Sequence, residues 1–494
     1  MIVDLISPGR SSPPFQFARP DETSQFDSWE FCPVAARQVI LVDFRSLGDS
    51  PSRSELRAWQ SARLRQLLAQ VAGRNPFWTN RWRQAQVSPE QITGCDDLHR
   101  LPLVTKSEIL ADQRAHPPYG TNLTFPREHY SRLHQTSGTT GQPMRWLDTP
   151  ESWGWILDCW RQLFGWMGLT PRDRLYYAFS FGPFLGFWAG FEGANRLGNL
   201  CIAGGGTSSE ARLQSLLENE VTIVCCTPTY ALRLAEVARD KGLDLPGSRV
   251  RQLLVAGEPG GNIPATRQLI ESAWGARVVD HWGMTELGPL AIECAEEPGM
   301  LRVLETECIA EVLDPQSLQP VGEGEEGELV ITNLGRVGSP LIRYRTGDRV
   351  RLARNSPMGK SQTGPTSHET AGFLRLEGGI LGRVDDMVTI RGNNLYPSAL
   401  EDAIRSVPGV AEFRIHLWDG VGLQRLELEI EPLAGLSSNE IVALIGRLEQ
   451  LVRERFLFRA EVRTVGVGEL PRFEMKARRF WRHPVTDGGG TPSG

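Results

Sequence analysis

Arg251-Gln252-Leu253-Leu254-Val255-Ala256-Gly257-Glu258-Pro259, with Arg277-Val278-Val279-Asp280-His281-Trp282-Gly283-Met284-Thr285-Glu286 further on, decides the fold. Arg251–Ala256 reads as a strand that stops at Gly257. Ile263–Trp274 reads as a helix, and Arg277–Asp280 as the next strand. Upstream, Val221–Cys226 is another short apolar run and Tyr230–Lys241 another helix. Short strands separated by helices of this length make βαβ units and a largely parallel sheet. Ligands of such sheets sit beyond the carboxyl ends of the strands. Gly257-Glu258-Pro259 and the run from His281 to Glu286 fall there.

Working outward, the texture changes on both sides. Residues 1–50 are rich in Pro and Ser and read as an irregular arm. Ser54 is a candidate cap for a helix to about Ala72, with Leu56, Trp59, Leu64, Leu67 and Val71 as its apolar stripe. Residues 354–372 are poor in apolar side chains and read as an exposed insertion. Beyond them, Ser398 with Glu401 has the spacing of a capping box, opening a helix that stops at Pro408-Gly409. Arg425–Glu431 alternates like a strand with one wet face, Ser437 with Glu440 opens a helix to about Phe456, and Ala460–Val467 is a last strand. The expected class is α/β. A large domain of mixed or parallel sheets layered with helices (51–382) precedes a small α+β domain (383–486), and the tail (487–494) is expected to be disordered.

A chain of 494 residues buries ample core and divides into domains. Its net charge of −6 argues against a nucleic acid or an anionic membrane as the main partner. Asp4 and Pro8 within the first ten residues argue against a secretory leader. The longest uncharged run, Leu175–Phe191, is too short and glycine-rich to span a bilayer. The eight cysteines are scattered without a Cys-x-x-Cys pair, which favours a reduced, cytoplasmic protein. His281 with Cys294 and Cys308 has no standard zinc spacing. Lysine occurs only at 106, 241, 360 and 476, although 53 residues are basic. A lysine in so arginine-rich a chain hints that a compact ammonium is wanted.

Thr136-Ser137-Gly138-Thr139-Thr140-Gly141 offers four hydroxyls and two glycines with no bulk. Successive N–H groups in such a turn form an anion-binding nest, and the hydroxyls add donors suited to a polyphosphate. In order along the chain follow Gly257–Gly260, Trp282–Glu286, Arg343–Asp348, Gly382–Asp386 and Pro471–Ala477. This series resembles the adenylate-forming superfamily of acyl-CoA synthetases, peptide-synthetase adenylation domains and luciferases. Leu101–Ser107 and Arg391-Gly392-Asn393-Asn394-Leu395-Tyr396-Pro397 are similar to stretches of its phenylacetate–CoA ligase branch. The resemblance covers roughly residues 55–485.

That resemblance implies an ATP- and Mg²⁺-dependent enzyme that joins a carboxylic acid to a thiol through an acyl-AMP. The acceptor it implies is coenzyme A, with an acyl carrier protein's phosphopantetheine arm as the alternative. A non-catalytic nucleotide-binding protein is a third reading, and a homodimer stays open. By resemblance, Thr136–Gly141 hold the outer phosphates, and Gly257, Glu258 and Pro259 line the adenine. Asp280, Trp282, Gly283, Met284 and Gly392 belong to the same nucleotide site. Thr285 contacts the α-phosphate, Glu286 binds Mg²⁺, Asp348 accepts the ribose hydroxyls, and Arg383 reaches the ribose or a phosphate. Lys476 bridges the substrate carboxylate and the α-phosphate, and Asp385 is the hinge of a mobile C-terminal domain. Gln142 stands where the family often has Lys. His281 either touches the substrate carboxylate or packs under its loop. The aromatic-glycine stretch Phe179–Trp188 lies where the branch carries its acyl-pocket helix, with Phe181, Phe184 and Trp188 as pocket candidates for an aryl acid.

Overall fold

The computed structural model describes residues 51–136, 143–354, 372–384, 388–390, 393–418, 425–456, 458–473 and 477–483. The expected arm and tail, and residues 355–371 of the expected insertion, therefore lie outside the described residues. Three helices open the described chain: α1 (Arg53–Val71), α2 (Pro76–Gln84) and α3 (Lys106–Ala115). The apolar stripe expected of α1 is buried, from Leu56 to Val71. Its cap is Ser52 rather than Ser54, because Ser52 and Glu55 close a reciprocal capping box. A hairpin of β1 (Arg132–Gln135) and β2 (Arg145–Asp148) follows, and Thr149 caps the tryptophan-rich α4 (Pro150–Met167).

The βαβ run is β3 (Arg174–Tyr177), α5 (Trp188–Arg196), β4 (Leu200–Ala203), α6 (Ser209–Glu218), β5 (Ile223–Cys226), α7 (Pro228–Asp240), β6 (Gln252–Val255), α8 (Pro264–Trp274) and β7 (Arg277–Met284). The strands β4, β3, β5, β6 and β7 pair in parallel, in that order. Both faces of β5 and β6 are buried, which is why they read as unbroken apolar runs. α7 starts two residues before the expected Tyr230, since Thr227 caps it and Pro228 fills its first turn. β7 runs on past Asp280. Its second half pairs antiparallel with β8 (Gly288–Glu293), so the expected post-strand loop is partly strand.

From there the sheet is antiparallel. β9 (Met300–Val303), β10 (Cys308–Leu313), β11 (Glu326–Asn333), β12 (Tyr344–Leu352) and β13 (Arg375–Arg383) complete an eleven-stranded order β10-β11-β12-β13-β9-β8-β7-β6-β5-β3-β4. A small hairpin of β14 (Val388–Ile390) and β15 (Asn393–Leu395) leads to α9 (Pro397–Arg405). The rest is β16 (Val410–Trp418), β17 (Arg425–Pro432), α10 (Ser438–Phe456), β18 (Ala460–Thr464) and β19 (Phe480–His483), with sheet order β18-β17-β16-β19. This part has its own core, including Leu400, Phe413, Leu428, Leu444 and Leu448. The expected capping box at Ser398 is not made. Pro397 takes the first helical position, and the Ser398 hydroxyl donates to the Leu381 carbonyl instead. Ser437 with Glu440 does cap α10.

Candidate active site

The carboxyl end of β7 supplies the densest set of polar side chains. A register shift between Trp282 and Gly283 marks the turn into the Thr285-Glu286 segment. A Cβ on Gly283 would sit 2.8 Å from the Gly288 carbonyl oxygen, so only glycine lets the two backbones approach so closely. Trp282 Nε1 donates to Asp348 Oδ2 (2.9 Å). Arg383 Nη1 lies 3.3 Å from Asp348 Oδ1 and donates to the Thr346 carbonyl (3.0 Å). Asp348 and Arg383 face each other across β12 and β13. Gly347 adopts φ +73°, and a Cβ there would strike the Arg383 guanidinium. Burial pushes the Asp348 carboxyl up to about 6 despite Arg383 and the Trp282 hydrogen bond.

Glu286 is 2% exposed and accepts from the Tyr344 hydroxyl (2.9 Å) through one oxygen. Its second oxygen makes no hydrogen bond among the described residues. A buried carboxylate with one free oxygen fits Mg²⁺, which takes one or two protein carboxylates and completes its shell from phosphates and water. Among the described residues no cluster of three His, Cys, Asp or Glu side chains could hold an ion by itself. That includes Cys294 and Cys308, both buried thiols.

Asp280 and His281 lie beneath this edge. Asn262 Nδ2 donates to Asp280 Oδ2, and burial, reinforced by Glu293, pushes Asp280 up to about 7. His281 is buried. Its Nδ1 is 2.8 Å from the Ala291 carbonyl and its ring centroid is 4.6 Å from that of Trp160. Burial holds it down to about 4, so it is neutral and packed. Of the two alternatives for His281, this geometry matches packing under the loop.

Gly257 turns the chain with φ +96° at the end of β6. The Glu258 side chain points at backbone donors. Oε1 accepts from the Thr229 amide (3.0 Å) in the first turn of α7, and Oε2 accepts from the Ala477 amide (2.7 Å). Arg479 donates to the Thr229 hydroxyl (3.1 Å) while paired with Glu412 (2.7 Å). Residues 477–479 are thereby held at the edge that carries Gly257 and Pro259. Lys476, Asp385, Gly392 and Ser137–Gly141 with Gln142 lie outside the described residues. Thr136 is described: its hydroxyl accepts from the Met144 amide (3.0 Å) and closes the neck of the loop.

The aromatic stretch is a loop up to Phe187, and only Trp188 begins a helix. Phe181 and Trp188 pack edge to face at 4.6 Å, and Trp188 Nε1 holds the Gly182 carbonyl (2.9 Å). Phe184 is 37% exposed and outside the ring cluster. Phe179, Phe187 and Phe191 take its place there, linked ring to ring within 5.4 Å of Phe179 or Phe181. Arg336 is a site-building residue with no signal in so arginine-rich a sequence. It is fully buried, paired bidentately with Asp148 (2.7 and 2.6 Å), and donates to the Thr285 carbonyl (2.6 Å).

These residues gather at the carboxyl edge of the parallel strands, with residues 477–479 held against it. The family model for AMP-binding enzymes matches residues 80–335, and the model for their C-terminal domain matches residues 392–483. The chain belongs to the AMP-binding enzymes. Within them it is similar to the phenylacetate–coenzyme A ligases of Thermus thermophilus (31% identical, 77% of this chain and 82% of that protein) and Pseudomonas putida (29% identical, 87% and 94%). It also superposes on a 2-hydroxyisobutyryl-CoA ligase in its postadenylation state with TM-score 0.81 (28% identical, 87% of this chain and 90% of that one). Against the same ligase in its thioesterification state the TM-score is 0.64 at near-equal identity and coverage. The described arrangement therefore matches the postadenylation state better.

Proposed function

We propose that this protein is an AMP-forming acyl-CoA ligase that activates an aryl or arylacetic acid with ATP and passes it to coenzyme A. A carboxylate oxygen of the acid bonds to the α-phosphorus and pyrophosphate leaves. The coenzyme A sulfur then bonds to the acyl carbon and AMP leaves. The observation that carries this reading is the Ala477–Glu258 hydrogen bond (2.7 Å). Lys476 precedes Ala477 in the sequence, and in this reading its ammonium lies between two anions that otherwise repel.

In the same reading Asp348 accepts the ribose hydroxyls, since an ionised carboxylate is all acceptor. Arg383 supports it, Thr285 meets the α-phosphate, and Thr136–Gly141 receive the outer phosphates. Mg²⁺ held by Glu286 would offset phosphate charge when bound. Neutral His281 supports the floor of the site without moving a proton. The edge-to-face ring cluster around Phe181 and Trp188 favours an aromatic acid. Residues 51–382 and 383–486 are the two domains with Asp385 as the hinge, and the compartment is the cytoplasm, where ATP and coenzyme A are supplied.

The test is a panel of carboxylic acids scored by AMP release, with free coenzyme A and a phosphopantetheinylated carrier protein as rival acceptors. Aryl or arylacetic acids turned over with free coenzyme A are expected. Turnover only with the carrier protein would reassign the acceptor. No acid-dependent pyrophosphate exchange anywhere in the panel would remove the catalytic reading.

A further inference from the structure

Glu258 belongs to the turn that the resemblance assigns to adenine, yet both its carboxylate oxygens are engaged elsewhere. One holds the Thr229 amide at the start of α7 and the other the Ala477 amide (3.0 and 2.7 Å). Both partners are N–H donors, so the group must supply two acceptors at once, which an ionised carboxylate does and a primary amide does not. Thr229 is itself gripped from the other side, because Arg479 reaches its hydroxyl from the C-terminal segment. Other contacts join the same two parts, among them Arg472 with Glu236 (3.2 Å), the Ala265 amide with Asp402 (3.1 Å), Ser398 with the Leu381 carbonyl (2.6 Å) and Arg349 with the Tyr396 hydroxyl. Glu258 differs from these because its partner is the residue adjoining Lys476.

We infer that Glu258 is a positioning residue, a latch that docks the C-terminal segment beginning at Ala477 for acyl-AMP formation and must release it before thioester formation. The inference rests on the proposed role of Lys476. The contact is seen in an arrangement that matches the postadenylation state of a relative better than the thioesterification state. A charge-assisted bond of this kind is strong enough to favour one docked state and weak enough to open within turnover. Burial raises the pKa of Glu258, and its amide hydrogen bonds and Arg479 oppose that rise.

The test is Glu258→Gln, which keeps shape and removes one acceptor. Acid-dependent ATP–pyrophosphate exchange at saturating ATP is expected to fall at least tenfold more than thioester formation from supplied acyl-AMP and coenzyme A. Hydrogen exchange at the Ala477 amide is expected to quicken. Retained thioester formation shows the variant folded. Equal losses in both half-reactions, or exchange and amide protection both unchanged, overturn the latch. An adenine-lining side chain would instead raise the ATP KM and leave the Ala477 amide protected, which also overturns it. Lys476→Ala, run alongside, should lose pyrophosphate exchange and keep the Ala477 amide protected. If it keeps exchange, the reading of Lys476 fails, and amide protection in Glu258→Gln alone decides whether the latch exists.

Discussion

Asp348 shows how one residue's environment sets its task. It is 6% exposed, held by Trp282 and Arg383, with burial pushing its carboxyl up to about 6. A carboxylate whose folded pKa is raised is ionised only above that value, so in the proposed role its capacity to accept two ribose hydroxyls grows as pH rises through 6. ATP affinity should therefore weaken by about tenfold on going from pH 7.5 to pH 5, as a proton competes for the carboxylate. The stability sign is opposite: the free enzyme loses stability as pH rises from the ordinary carboxylate range through 6, because the ionised form is poorly solvated. Asp280, pushed up to about 7, and Glu286 also lie nearby, so the comparison that isolates Asp348 is Asp348→Asn. That variant should bind ATP more weakly at pH 7.5 and lose the part of the acid limb centred near 6. Binding titrations with ATP across this range check both. Asp348 is singled out in the sequence by its Arg343-Tyr344-Arg345-Thr346-Gly347-Asp348 setting, and the structure buries it beside Arg383. Its partner Trp282 was read only as part of the nucleotide site, because an indole N–H aimed at a carboxylate 66 residues away leaves no local pattern.

At the scale of elements, β3, β4, α5 and α6 were not foreseen, whereas β5, β6 and β7 with the helices between them were readable, because β5 and β6 are apolar on both faces and the helices carry boundary signals. Thr227-Pro228 before α7 and the Gly275 stop after α8 are examples. What failed to show is what depends on distant pairing. β19 is a four-residue strand containing Arg482 and His483, defined only by parallel pairing to β16. Residues 281–284 looked like loop because their strand character comes from β8. The Ser398 capping box failed because Pro397 had already taken the first helical position. Arg336 is the energetic counterpart. It clamps Asp148, at the foot of the hairpin bearing the Thr136 loop, to the Thr285 carbonyl. Burial would raise Asp148, yet the Arg336 guanidinium and His134 hold its carboxyl below the usual range. Arg336→Met strips that compensation from a fully buried charge, and a loss of about 3–5 kcal/mol in urea unfolding is expected. Adding Asp148→Asn should recover part of that loss while pyrophosphate exchange stays depressed, because nothing then aligns Thr285 with the hairpin. Recovery of full exchange in the double variant would show that the clamp serves folding alone.

Across the whole molecule, the chemistry asks for two incompatible arrangements. In the proposed mechanism, acyl-AMP formation needs the Lys476 ammonium between two anions. Thioester formation needs that space opened to a thiol. In that proposed mechanism the C-terminal part, which has its own core and polar contacts to the rest, meets both demands by rotating as a body. The rotation must be absorbed by a few backbone dihedrals between β13 and β14, where Asp385 stands. Proline fixes φ near −65° and restricts the residue before it. Asp385→Pro should therefore leave acid-dependent pyrophosphate exchange within about threefold of the parent and reduce thioester formation from supplied acyl-AMP by about a hundredfold, a barrier change near 3 kcal/mol. Single-turnover assays of the two half-reactions measure this directly. The pattern is the reverse of that expected for Glu258→Gln, because one substitution traps the docked arrangement and the other undoes it. If both half-reactions fall together in Asp385→Pro, rotation about this point is not what separates the steps. The two chemistries would then share one arrangement of the domains.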